Sequence, residues 1–439
     1  MLVQRLADRL QLDKPLAYAM AARVWQAISG PITIVFLLRS LSASEQGMYY
    51  SLASILSIQM FFELGLLNVL VSYAGHQASL IESQVGQTRT GELIRSSMRW
   101  FFWASILFGL SALALGWTIM ADVDTVIAWR QPLIVLVVAS ALTVAMSPAI
   151  AILEGFGFRD DIYRVRLVQV VGGSLAVWLA FSLGLKLWAL AAAAAVQATG
   201  SLYLVCVKYS HFFRRYLALP RARSEFSWLR DVIPIQWRLA LMSAVHHFAT
   251  QFFTLIVFQF HSEEQAGRLG LTLSLTSTIQ GVALVWVQTK FALVSVYHGA
   301  GNREAAGTMW RRTGVISTCL LVSALAAAVV LLWLLPLANM GLEDRFISPL
   351  QLTILGIGHV ANHLVSLEGY YVLSRRARPL LGAALIGSTS TAIAVWAGGY
   401  FWSTDGVLLG YALATSLITF PLHTLAYLKF RQEVVAPAG

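Results

Sequence analysis

The sequence predicts an all-α integral membrane protein: about 12 transmembrane helices in two six-helix lobes related by a pseudo-two-fold axis along the membrane normal. Three observations carry this prediction. The 439-residue chain is 58% hydrophobic and only 12% charged, with a mean hydropathy of +0.69. A soluble chain carries about 25% charged residues, so most of this one belongs in lipid. Apolar runs close to the roughly 20 residues needed to cross a bilayer recur along its whole length. Short motifs of the first half also return in the second.

The elements follow in order. Residues 1–15, MLVQRLADRLQLDKP, lack the apolar core of a signal peptide. Leu2, Leu6 and Leu10 recur at helical spacing between Arg5, Arg9 and Lys14, which reads either as a helix on the membrane surface or as a frayed basic tail. The N-lobe, 16–208, holds spans at 16–38, 46–72, 98–121, 131–154, 163–183 and 187–207. A basic, aromatic segment at 209–231 links it to the C-lobe, 232–430. That lobe holds spans at 232–260, 266–292, 313–338, 349–373, 380–402 and 406–428, before a tail at 431–439. The connections near Ser182–Lys186 and Ser403–Asp405 are very tight.

Lysine and arginine placement sets the orientation. Of 31 such residues, 23 fall on the side that holds both termini and five on the other: Arg39, Arg130, Lys186, Arg268 and Arg345. Arg23, Arg238 and Lys290 fall inside spans. Both termini are therefore expected in the cytoplasm, and the net charge of +10 is a topology signal that needs no nucleic acid to explain it. Cys206 and Cys319 sit in apolar runs and read as small packing residues, with no disulfide framework.

The repeat is carried by three pairs of motifs. Ser42-Ala-Ser-Glu-Gln-Gly47 in the first hairpin returns as Ser262-Glu-Glu-Gln-Ala-Gly267, and both fit the S-x-x-E/Q capping box. Leu153-Glu154-Gly155 returns as Leu367-Glu368-Gly369, and LVSYAGHQ (70–77) echoes LVSVYHGAGN (293–302). Because the repeated unit has an even number of spans, its two copies share orientation. Two-lobed architectures of this kind bind substrate between repeats and work by rocking them.

Polar residues inside the spans are the candidates for function, since ionisable groups at membrane depth face protein or a watery cavity. Arg23, Gln26, Gly30 and Thr33 share one face of the first span. Arg23 would hold phosphate through a permanently charged, bidentate fork; the alternative is a side chain snorkelling to the interface. The second span pairs Gln59 with Glu63, and Glu63 is the first choice for ion coupling. Glu154 and Glu368 read as helix-end locks beside Arg159 and Arg375. The seventh span carries Gln236, Ser243, His247, Thr250, Gln251 and Thr254; the eighth carries Ser277, Gln280 and Gln288. His359, Asn362, His363, Ser366 and Tyr370 line the tenth. Together these stripes predict a hydrated cavity, against the alternative of interhelical hydrogen bonding. His359 and His363 have the i, i+4 spacing of metal ligands, but no third ligand follows at suitable spacing, so neither metal nor cofactor is expected.

The stretch 23–66 resembles the opening hairpin of Wzx-type oligosaccharide flippases, members of the multidrug/oligosaccharidyl-lipid/polysaccharide (MOP) exporter superfamily. The matching residues are Arg39-x-Leu41-Ser42, Glu45-x-Gly47-x-Tyr49 and Glu63-Leu64-Gly65. The resemblance implies a transporter rather than an enzyme. It would move an undecaprenyl-pyrophosphate-linked oligosaccharide from the cytoplasmic to the periplasmic leaflet of a bacterial inner membrane, for surface polysaccharide biosynthesis. Arg23 would meet the pyrophosphate; Gln26, Thr33, Gln59, His247, Gln251, Gln280, His359, Asn362, His363 and Tyr370 would line the substrate cavity. A polysaccharide polymerase and an initiating glycosyltransferase are the implied partners. Drug extruders of the superfamily typically carry an acidic residue in the first helix, and 16–38 has none. The rival from another class is an integral-membrane glycan-modifying enzyme, which would need an acid/base constellation on a sizeable loop; no such loop is evident.

Overall fold

The computed structural model describes residues 14–63, 66–78, 80–121, 127–220, 245, 247, 249–299, 302–338, 342–374 and 380–435. Every regular element among them is helical. Among the described residues nine helices are long and apolar enough to cross a membrane, so the chain is an all-α, multi-pass membrane protein.

The chain divides into two compact units, residues 1–40 with 55–243 and residues 41–54 with 244–439. In this division the hairpin segment 41–54 groups with the second unit. The first unit contains α1 (Lys14–Ser40), α3 (Gln59–Glu63), α4 (Leu66–Ala78), α5 (Gln84–Ile119), α6 (Arg130–Gly155), α7 (Arg159–Ser182), α8 (Trp188–Leu202) and α9 (Ser210–Leu217). The second contains α2 (Ala43–Leu56), α10 (Phe253–Phe260), α11 (Glu263–Gly299), α12 (Arg303–Leu334), α13 (Pro349–Leu373), α14 (Leu381–Leu413) and α15 (Phe420–Val435).

The two units repeat one packing pattern. In the first, α1 lies on α7, α5 on α6, and α8 on both α6 and α7. In the second, α10 lies on α14, α12 on α13, and the π-helical turn Ala414–Thr419 on both α13 and α14. The last transmembrane helix of the first unit carries a π turn as well, at Tyr203–Lys208. The duplication visible in short motifs thus extends to helix pairing. Such turns break the regular ladder locally, and here both copies have one.

In the first unit α1 and α7 are joined by tryptophans. Trp25 Nε1 donates to Ser174 Oγ (3.2 Å), Trp178 Nε1 donates to Thr33 Oγ1 (2.9 Å), and the two indoles lie 6.0 Å apart. Replacing Trp178 with Phe removes the donor and part of the packed indole, so it is expected to cost at least about 1 kcal/mol, the net worth of one hydrogen bond plus lost packing. A thermal unfolding series in detergent would read this as a small fall in midpoint, and an unchanged midpoint would remove the bond from the account.

The expected linker is partly structure. Its first residues form α9, which docks on α5: Arg95 Nη1 donates to the carbonyls of Leu217 (3.1 Å) and Leu219 (3.2 Å). Phe212 meets Phe156, Phe158 and Tyr216 in an aromatic cluster. Asp161 pairs with Lys208 and accepts from the Tyr209 hydroxyl (2.6 Å). Residues 221–231 of that linker, and the surface segment 1–13, lie outside the described residues.

Caps explain several helix starts. Ser42 and Glu45 form a complete capping box (3.2 and 2.8 Å). The repeat copy is only half a box: Ser262 Oγ accepts from the Gln265 amide (3.2 Å), but the Gln265 side chain accepts from Ser403 instead. Ser348 and Gln351 make a further full box ahead of α13. The 41–54 segment is clamped onto α11. Gln46, 1% exposed, donates to the carbonyls of Gly267 (2.7 Å) and Arg345 (3.1 Å), and the Arg345 guanidinium donates to the Leu41 carbonyl. Partial burial lowers the pKa of that guanidinium, and the Glu45 carboxylate pushes it back up.

Two corrections concern charge and sulfur. Glu154 locks its helix end through Arg166 (3.1 Å) and Tyr163 (3.2 Å). Cys206 and Cys319 are exposed rather than packed, because each lies on the outward face of an apolar helix.

Candidate functional site

One polar cavity of about 330 Å³ lies wholly within the second unit. Its walls come from α2, the start of α10, α11, α13 and the second half of α14. The chain is broken at this point: helix gives way at Phe252 (φ −98°, ψ 3°) before α10 begins. Irregular backbone at membrane depth is tolerated only where it is buried in protein or lines a water-filled space. Thr250 and Gln251, just before the break, face this cavity.

His359 on α13 is the most constrained polar group of the lining. It is 7% exposed, and its Nδ1 lies 3.0 Å from Gln280 Oε1 on α11. An amide oxygen only accepts, so Nδ1 carries the proton and Nε2 is left as an acceptor. Nε2 has no hydrogen-bond partner. The imidazole also packs edge-on against Tyr411 (centroids 5.7 Å). Tyr411 in turn meets Phe253 (5.2 Å). Asn362, one turn after His359, completes this wall, while Tyr50, hydrogen-bonded to Ser274, closes the opposite one.

Two glycines let the tyrosines lie where they do. A Cβ at Gly358 would stand 2.5 Å from the Tyr411 ring, and a Cβ at Gly270 would stand 2.5 Å from Tyr50 Cβ. Among the described residues, the lining includes no Asp, Glu, Lys or Arg. The cavity therefore presents amides, hydroxyls, one imidazole acceptor and aromatic faces.

Of the residues singled out in the sequence, Thr250, Gln251, Thr254, Ser277, Gln280, His359 and Asn362 come together here. The others do not line this cavity. His363 is fully buried, its Nε2 3.1 Å from Ser317 Oγ on α12. Tyr370 accepts from Gln288 (3.1 Å) and packs on Phe291. His247 lies near the Phe252 ring (6.4 Å). Gln26, Thr33 and Gln59 belong to the first unit. There Thr33 accepts from Trp178, and Gln59 donates to Glu63 (2.7 Å). Arg23 is exposed, with Nη1 3.4 Å from Gln26 Oε1. Gln236 and Ser243 lie outside the described residues. Tyr50, Ser54, Ser274 and Tyr411 were missed from sequence. The signal available for Tyr411 is Gly358, which meets its ring in space but lies far from it in sequence, and no periodicity reports that.

No protein-family model matches the chain, and no curated protein sequence does. Its fold is that of solved transporters. A eukaryotic MATE transporter aligns over 96% of this chain and 100% of its own at TM-score 0.58 and 15% identity. An inward-facing multidrug resistance MATE family transporter of the MOP superfamily aligns over 92% and 99% at TM-score 0.54 and 14% identity. A Vibrio cholerae MATE transporter aligns over 98% of both chains at TM-score 0.53 and 15% identity. At these identities the likeness is one of fold.

Proposed function

We propose that this protein is a membrane exporter that carries an undecaprenyl-pyrophosphate-linked oligosaccharide from the cytoplasmic to the periplasmic leaflet by alternating access, supplying surface polysaccharide synthesis. The observation that carries the reading is the composition of the cavity: hydroxyls, amides and an imidazole, with no carboxylate among its described lining residues. A polar, uncharged lining suits a glycan, which offers many hydroxyls and no cationic centre. A lipophilic cation would find no counter-charge there, and buried charge without a partner is strongly disfavoured. The MATE fold is also used for multidrug resistance, so cation extrusion is the reading to be tested against.

In this scheme Arg23 meets the pyrophosphate at the cytoplasmic entrance, the lipid tail stays in the bilayer, and Glu63 is the first candidate for ion coupling. The host membrane is the bacterial inner membrane with both termini cytoplasmic, and the polymerase and initiating transferase act on either side of the transport step.

The test is the distribution of lipid-linked oligosaccharide across the inner membrane of cells that lack the protein. The expected result is cytoplasmic accumulation, reversed by wild type and reversed at least about tenfold less well by Arg23→Ala, the effect of losing one charge-assisted contact. Normal distribution with altered chain length or acylation would move the assignment to a glycan-modifying enzyme. Normal distribution with lost efflux of a cationic dye would move it to a drug extruder. Full export by Arg23→Ala at equal protein level would take Arg23 out of the mechanism.

A further inference from the structure

We infer that the cavity of the second unit is a seat for an uncharged sugar ring, selected by the His359 Nε2 acceptor and by the absence of Asp, Glu, Lys and Arg among its described lining residues. The inference rests on the exporter reading and adds to it which glycans are accepted.

The geometry supplies three independent constraints. First, the hydrogen-bond polarity of His359 is fixed. Nδ1 lies 3.0 Å from Gln280 Oε1 and donates to it, so in the neutral imidazole the buried Nε2 is an acceptor, and it has no partner. A group that leaves such an acceptor unmet forfeits the interaction and buries the nitrogen dry; a hydroxyl meets it. The neighbouring carboxamides of Gln251 and Asn362 each donate and accept. Only a ligand whose groups also do both satisfies all three at once, and hydroxyls do.

Second, the walls beside these groups are aromatic. Tyr50, Phe253 and Tyr411 present ring surface next to the polar atoms. A sugar ring has the same division, with C–H faces that pack on rings and an equatorial belt of hydroxyls. Small-molecule sites are built in this way, apolar walls with a few convergent polar groups.

Third, size and charge limit the occupant. A volume of about 330 Å³ sits at the lower end of the range for small-ligand sites and corresponds to roughly ten waters at about 30 Å³ each. One or two sugar rings fill that space, and a longer glycan extends beyond it. A uronic acid would bring a carboxylate into a lining with no Lys or Arg among its described residues, and an unpaired buried charge costs several kcal/mol.

The test uses full-length protein in proteoliposomes and three probes on one carrier. These are undecaprenyl-pyrophosphate bearing a neutral trisaccharide, the same lipid with one sugar replaced by a uronic acid, and the lipid bearing a single N-acetylhexosamine. Wild type is expected to move the neutral trisaccharide at least about tenfold faster than the acidic one, a modest share of the cost of burying an unpaired carboxylate. His359→Leu is expected to slow the neutral trisaccharide at least about tenfold, and His359→Gln, which keeps an acceptor, to retain most of the wild-type rate. Asn362→Leu, at a half-buried position, provides the same readout should His359→Leu fail to fold. If wild type moves none of the three lipids, the exporter reading itself fails. If it moves the neutral and acidic trisaccharides equally and the variants change nothing, the exporter reading stands and the sugar seat is overturned.

Discussion

Gly406→Ala is expected to cost at least about 3 kcal/mol, the upper end of the range for overpacking, and to reduce sharply the yield of folded, monodisperse protein. The reason is a backbone-to-backbone contact. Within α14 the chain reverses at Trp402 and Ser403, whose φ/ψ of −130°/20° and 56°/−140° leave the helical region. Two antiparallel helices result, 381–401 and 404–413. A Cβ on Gly406 would land on the Gly398 carbonyl, one on Gly398 would land on the Gly406 carbonyl, and one on Gly410 would stand 2.5 Å from the carbonyl of Ala394. Ala394 with Gly398, and Gly406 with Gly410, each read small-xxx-small, the spacing by which helices in lipid approach closely. Backbone has no rotamer to change, so the added methyl must separate the helices along their length.

The control is Gly307→Ala on α12, where an added Cβ meets nothing within 4 Å. It is expected to stabilise by about 0.5–1 kcal/mol, the helix-interior cost of glycine. Unfolding midpoints of the two variants beside wild type decide the matter. Equal midpoints for Gly406→Ala and wild type would show that the hairpin tolerates a separation that these contacts forbid.

That hairpin was legible in the sequence because an apolar run is interrupted there by Ser403, Thr404, Asp405 and Gly406, which is turn chemistry. The capping box at Ser42 and Glu45 was legible for the same reason: its signal is local. The helix breaks were not. Neither Ser57-Ile58, between α2 and α3, nor Phe252 carries a glycine or proline; what interrupts these helices is tertiary surroundings. The assignment of 41–54 to the second unit is likewise tertiary, since Gln46 and Gly47 find their partners at Glu263, Gly267 and Arg345.

The candidate site divides along the same line. Polar residues on apolar helices announce themselves, which is why Gln251, Gln280, His359 and Asn362 were found. A shared helical face does not make a shared site. Tyr370 lies only about 20° round the helix from His359 but about 16 Å along it at 1.5 Å per residue, and it reaches Gln288 instead. His363 is one turn from His359 yet spends its Nε2 on Ser317. Thr33 and Gln59 are hydrogen-bonded within the first unit, to Trp178 and Glu63. The tyrosines of the cavity were invisible for the opposite reason: on an apolar helix an aromatic residue reads as packing, and only its neighbour glycine in space reveals that its ring has been given room.

The same relation makes Gly358→Ala the sharpest test that the cavity lies on the transport path. The new methyl would stand 2.5 Å from the Tyr411 ring. Tyr411 is 3% exposed and already backed by Phe253 at 5.2 Å, so its ring moves toward the open side, into the space beside His359. Glycan export is expected to fall by at least about tenfold, equivalent to 1.4 kcal/mol of lost binding, at a folding cost of about 1–3 kcal/mol. Because the ring mediates the effect, shortening it should relieve the block: Gly358→Ala with Tyr411→Ala should export better than Gly358→Ala alone. Such non-additivity is the mark of two residues acting through one contact. A general loss of stability would instead add, leaving the double variant worse than either single one. Full export by Gly358→Ala, at equal protein level, would mean that substrate passes elsewhere and that the polar lining is interhelical hydrogen bonding alone.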